Sequence, residues 1–84
     1  MKVFLIDDCD YVAAVTAEDA MAWYRSEIYD GAEECDEVSL DLECNEAEEG
    51  EPPIITTFQA MIERDLQDPK ISWPHILGTD PYYA

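Results

Sequence analysis

The chain has 84 residues, with 21 Asp plus Glu against 4 Lys plus Arg, and a formal charge of -17. This balance excludes a bare nucleic-acid binder, which must neutralise phosphates with Lys and Arg, and it disfavours an anionic membrane surface for the same reason. A composition 48% apolar and 11% aromatic also excludes a plain acidic disordered tail, because such tails are poor in aromatics.

Residues 2–7 (Lys2, Val3, Phe4, Leu5, Ile6, Asp7) predict a strand. Four consecutive apolar residues imply burial on both faces and hence a central position. The run is far shorter than the ~7–15 residues of a signal-peptide core, and acids follow it at once, so no leader is expected. Asp8, Cys9 and Asp10 supply turn chemistry, and Tyr11–Val15 predicts a second strand that closes a hairpin. Thr16 starts a helix, with Asp19 three residues on in an acidic variant of the capping box and Glu18 in the first turn. Ala17, Met21, Tyr24 and Ile28 form its apolar stripe, Trp23 lies at the stripe's edge, and Gly31 is the expected stop.

Residues 37–44 alternate cleanly. Val38, Leu40, Leu42 and Cys44 point one way; Glu37, Ser39, Asp41 and Glu43 point the other. This predicts a third strand with one buried face and one wet, acidic face. Residues 45–53 form a Glu-rich loop closed by Pro52 and Pro53. Thr56 with Gln59 makes a second capping box, and Phe58, Met61, Ile62 and Leu66 have helical spacing, with Asp65 the polar exception. Asp68-Pro69 ends that helix. The tail (Ile71, Trp73, Pro74, Ile76, Leu77, Tyr82, Tyr83) is too apolar to hang free. It is expected to pack across the sheet or a helix, with a short extended segment at Ile76–Thr79.

The expected fold is therefore α+β: a single small domain, residues 1–84, in the order β-β-α-β-α with an ordered C-terminal tail. A right-handed helix crossover returns the third strand parallel to the second, on the far side of the first. That makes a three-stranded mixed sheet of order 2-1-3 packed by two helices. No stretch approaches the ~20 apolar residues of a membrane span.

Few patterns point to catalysis. Asp7 and Asp8 at a strand end, with Asp10 nearby, resemble phosphoacceptor aspartates that hold Mg²⁺. Such sites need further strands bringing a Lys and other acids, so a polar hairpin turn is preferred. A calcium loop starting at Asp41 fits at Glu43 and Asn45 but has Glu46 in place of the Gly and Pro52 in place of the final Glu. His75 is the only histidine and reads as a packing residue; catalysis by a cysteine would need it as the base. Cys9, Cys35 and Cys44 are odd in number and lack CxxC spacing, which argues against a disulfide framework or zinc site and for a reduced, cytosolic chain. No enzyme, cofactor or metal is expected. Trp23, Trp73, Tyr11 and Tyr29 read mostly as core or rim, while Tyr82 and Tyr83 form a candidate binding edge, since interfaces are rich in Tyr and Trp.

The acidic tract is the informative feature. No Lys or Arg occurs from Ser26 to Glu63, and Asp30 to Glu51 holds 11 acids in 22 residues. A solvated face would explain an ordinary charge run, but solubility needs a net charge of only ~2–8 in a small domain. Along one face of a strand, alternate residues recur every ~6.7 Å. Carboxylates at 37, 41 and 43 would then form a fixed row, and duplex DNA likewise presents fixed anions, one per ~1.7 Å of axis. The expected contact set is Glu33, Glu34, Asp36, Glu37, Asp41, Glu43, Glu46, Glu48 and Glu49.

A tiny, strongly acidic α/β chain without a catalytic motif resembles the small phage-encoded inhibitors of bacterial defence, namely anti-CRISPR and DNA-mimicking anti-restriction proteins. The opening KVFLIDDCDYVAAVTAEDAMAWY (residues 2–24) is similar in style to small phage early proteins, with a short hairpin and then a T-x-E-x-A helix start at Thr16, Glu18 and Ala20. The likeness covers about a quarter of the chain and carries over no catalytic residue. It implies a non-enzymatic inhibitor in the host cytoplasm whose acids engage Lys and Arg on a CRISPR-Cas effector, a type I surveillance complex being favoured, and block target DNA. The alternative is an acidic interaction module for another basic host protein of transcription, toxin, restriction or nucleoid type. Neither reading involves direct contact with nucleic acid or a membrane.

Overall fold

A computed structural model describes residues 1–79, so the expected Tyr82–Tyr83 edge lies outside the described residues. The elements run β1 (Lys2–Ile6), β2 (Asp10–Ala14), α1 (Ala17–Glu27), β3 (Cys35–Val38), β4 (Glu43–Asn45), β5 (Ile55–Thr57), α2 (Phe58–Leu66) and β6 (His75–Thr79). The class is α+β, with a four-stranded sheet ordered β3-β1-β2-β6 and a two-stranded sheet of β4 and β5.

The apolar run places β1 in the interior, as its composition requires. Phe4 and Ile6 face a cluster with Val12, Ala14, Ala20 and Tyr24, while Val3 faces one with Ala13, Phe58, Met61 and Ile62. Alternation along the strands thus gives each face its own partner, α1 on one side and α2 on the other. Ile6, Val3 and Val12 are the largest fully buried side chains.

The predicted order 2-1-3 survives as the inner part of the sheet, but the sheet is not mixed. β3 does run parallel to β2, yet β1 lies between them and pairs antiparallel with both. The tail adds a fourth strand: β6 pairs antiparallel with β2, with a register shift between Tyr11 and Val12. The extended segment expected at Ile76–Thr79 is part of this strand.

The single strand expected over 37–44 is two strands in two sheets. β3 pairs with β1 only as far as Val38 opposite Val3. The chain turns instead. The Ser39 hydroxyl oxygen accepts the Asp41 N–H at 3.1 Å, and the Leu42 N–H donates to the Ser39 carbonyl at 3.2 Å. β4 then pairs with β5. Val38, Leu40 and Cys44 still reach the α2-side cluster, but Leu42 is left 43% exposed.

Both helices start at a threonine. Thr16 caps α1 by accepting the Asp19 N–H at 3.1 Å, as predicted. The cap of α2 is Thr57, which accepts the Ala60 N–H at 3.2 Å, and not Thr56. Thr56 sits within β5 opposite Cys44, and Thr57 has the extended backbone that a cap needs. The buried face of α1 is Ala20 and Tyr24, flanked by Met21 and Trp23; Ala17 and Ile28 are exposed. The helix ends at Glu27, before Gly31, whose missing side chain leaves room for the Tyr29 ring. In α2, Leu66 is exposed and Asp65 is buried.

Candidate functional site

The hairpin tip is built by acids. Asp7 and Asp8 both take positive φ, 51° and 55°, and the Cys9 N–H closes the turn on the Ile6 carbonyl at 2.9 Å. Two left-handed residues suit the twist of a hairpin, and Asp tolerates that conformation better than most residues. Asp7 then ties down the segment before β3. Its Oδ1 accepts the N–H groups of Glu33 at 3.0 Å and Glu34 at 2.8 Å. These bonds to the charged form hold its carboxyl below the usual carboxylate range. Asp10 is engaged too, accepting from the Tyr24 hydroxyl at 2.5 Å and the Thr79 hydroxyl at 2.8 Å. Burial first, and then this bond, push the Tyr24 hydroxyl pKa up. Two of the three acids at this strand end therefore hold the fold together.

An Asp7→Asn variant tests the first anchor. Asn keeps the left-handed turn and the acceptor oxygen but removes the charge. A depressed carboxyl pKa contributes stability that is present above the unfolded value, near pH 4, and lost as pH falls through the lower folded value. Wild type is therefore expected to be the more stable in urea titrations at neutral pH. The gap should close as pH is taken below about 4. A gap that is constant with pH would contradict the anchor.

Around this tip the structure gathers a group that the sequence did not announce. Carboxylate oxygens of Asp8, Glu34 and Asp36 lie within 4.8 Å of one another, all on exposed residues. The β1–β3 register brings the residues before Cys35 beside the hairpin turn, because Ile6 pairs with Cys35. Hard oxygen donors of this kind suit a hydrated divalent cation. Their clustering depends on strand pairing, and only the spacing of Glu34 and Asp36 is visible in the sequence.

The nine predicted contact acids do not form one row. Glu33 and Glu34 lie in the segment anchored by Asp7, Asp36 and Glu37 on β3, Asp41 in the turn, Glu43 on β4, and Glu46, Glu48 and Glu49 in the loop that follows. The broken strand is the reason: 37, 41 and 43 share no sheet face. All nine are exposed. Glu37 pairs with Lys2 at 3.5 Å and Glu46 with Arg64 at 2.8 Å. Among the described residues the other seven are in no ion pair.

The acids of β4 and the loop after it border an open groove of roughly 910 Å³. Its apolar side comes from Tyr11 on β2, Leu42 before β4 and Leu77 on β6, with Phe58 and Met61 beneath. Its acidic side is Glu43, Glu46, Glu48, Glu49 and Glu51. Local bonds hold this loop in place. Asn45 Oδ1 accepts the N–H groups of Ala47 at 2.9 Å and Ile54 at 3.0 Å, and Gly50 turns the chain at φ 88°. Arg64 fastens the loop to α2 through Glu46 and also donates to Asp65 at 3.2 Å. Asp65, 8% exposed, has His75 Nε2 on its other side at 3.3 Å. The two polar residues that the sequence set apart, Asp65 and His75, are thus partners that join α2 to β6.

Cys9 is an exposed free thiol, and Cys35 and Cys44 are half-buried. Burial pushes the Cys35 and Cys44 thiols up, with Asp36 and Glu46 adding to it, so both favour the neutral form. Among the described residues no helix is long and apolar enough to cross a membrane. No protein-family model, curated protein or solved structure matches the chain.

Proposed function

We propose that this chain is a non-enzymatic, acidic inhibitor that occupies a basic, DNA-binding surface on another protein. Within that class we propose an anti-CRISPR protein acting in the host cytoplasm on a CRISPR-Cas effector, a type I surveillance complex in preference. The observation that carries the reading is the seven exposed carboxylates that are in no ion pair among the described residues: Glu33, Glu34, Asp36, Asp41, Glu43, Glu48 and Glu49. Like charges held on one small body repel and destabilise the compact state. A basic partner relieves that repulsion, and complementary fields speed its capture. The acids are displayed on a sheet edge, a turn and a pinned loop, so they meet the partner with little further ordering.

The test is competition. A labelled target duplex is bound to a purified type I surveillance complex, and the chain is titrated in. Release of the duplex at near-stoichiometric concentration is the expected result. Undiminished target binding in excess inhibitor overturns the proposed target. A host-lysate pull-down then bears on the other reading: recovery of transcription, toxin, restriction or nucleoid proteins, and no Cas subunit, favours a different basic host protein.

A further inference from the structure

We infer that the groove between the residue 46–51 loop and the β2–β6 edge receives a peptide segment of the partner, with Arg or Lys flanking one large apolar side chain. The inference rests on the reading above, that the partner is basic, and adds what the charge alone does not specify. An acid surface that only mimics phosphates needs no apolar floor. Here Leu42 is 43% exposed at the rim, and Tyr11 and Leu77 are half-buried beside it. Exposed Glu48 and Glu49, in no ion pair among the described residues, face the same space. Arg and Lys suit such a mixed wall, because their stems lie along apolar surface while their heads reach carboxylates. An aromatic or large aliphatic side chain between them would cover Leu42 and Leu77 and supply the hot spot that flat charge pairing lacks.

Charge selects this occupant over the others. A second copy of the chain brings the same excess of acids to an acidic wall, and a nucleic acid brings phosphates. Arg64, the one cation lining the groove among the described residues, is already held by Glu46 and Asp65.

The probe is a short synthetic peptide with a central Trp flanked by arginines, and a twin with Ala in place of the Trp. Each is titrated into the full chain at physiological salt, by anisotropy and by ¹⁵N NMR. The Trp peptide should bind about tenfold tighter, the gain from burying one large side chain. Shifts should centre on Tyr11, Leu42, Leu77 and the 46–51 loop. Leu42→Ser should remove most of the Trp advantage, and Glu48→Lys with Glu49→Lys should weaken both peptides. All three positions are exposed, so the fold is expected to persist. Equal affinity of the two peptides, or shifts centred on Glu33, Glu34 and Asp36, overturns the groove. If DNA is displaced while the peptides bind alike, the groove fails and the inhibitor reading stands. Groove binding without DNA displacement does the reverse.

Discussion

Phe58→Ala is expected to destabilise the chain by about 3–5 kcal/mol, the usual cost of truncating a buried aromatic. A domain of this length has roughly 4–13 kcal/mol in total, so the variant should lie near its unfolding threshold at 37 °C. The argument starts from position. Phe58 is 2% exposed and packs with Val3, Ala13, Met61 and Ile62, and its ring lies 4.8 Å from that of Tyr11. It is the first residue of α2, directly after β5, and its N–H reaches the Leu42 carbonyl at 3.4 Å. Its side chain therefore joins the β4–β5 unit and α2 to the main sheet. β1 and β2 contribute to the clusters on both faces, so the faces should melt together. Trp23 reports the α1 side and Trp73 the α2 side. Urea titrations of Trp23→Phe and Trp73→Phe backgrounds should give one common midpoint, lowered in both by Phe58→Ala. A loss below about 1 kcal/mol, the range of surface changes and mild substitutions, would contradict the joining role.

The contrast between what the sequence announced and what it concealed is physical. Local signals were legible: the four-residue apolar run of β1, the hairpin, the Thr16 cap and the central place of β1 all depend on neighbours in the chain. Pairing was less so. The alternation from Glu37 to Cys44 is a true period of two, but a period does not reveal where the partner strand stops. β3 leaves β1 after Val38, where the chain turns on Ser39, and the pattern continues in another sheet. The same limit hid the fourth strand. Its residues are too apolar to be free, but only β2 as a partner makes His75–Thr79 a strand. At the candidate site, the exposure of all nine acids follows from composition. Their division between the sheet edge, the turn and the groove, and the Asp8–Glu34–Asp36 cluster, come from strand register. So does the apolar side of the groove, since Tyr11, Leu42 and Leu77 are far apart in sequence.

Charge reversal at Asp41 and Glu43 should weaken partner binding on the order of tenfold or more while leaving the fold intact. The break in the strand changes why these two matter. Asp41 lies in the turn that leaves the sheet edge, and Glu43 opens β4 on the way to the groove. Along the chain they stand between the acids at the hairpin end and those of the loop, and Glu43 lines the groove with the loop acids. Neither is in an ion pair among the described residues, so reversal breaks no ion pair there. It also lowers self-repulsion, so the Asp41→Lys, Glu43→Lys protein should be at least as stable as wild type in urea. Each exposed pair with a partner contributes roughly 0.2–1 kcal/mol. Reversal replaces two such attractions with repulsions, and tenfold corresponds to about 1.4 kcal/mol. Most of the loss should appear in the association rate, because steering is where surface charge acts most strongly. The difference should fade as salt rises, since the screening length falls from about 10 Å at 0.1 M to 3 Å at 1 M. DNA-release titrations across that range, with association rates by surface plasmon resonance, provide the check. Wild-type-like inhibition by a folded double variant at low salt would remove the basis for DNA mimicry.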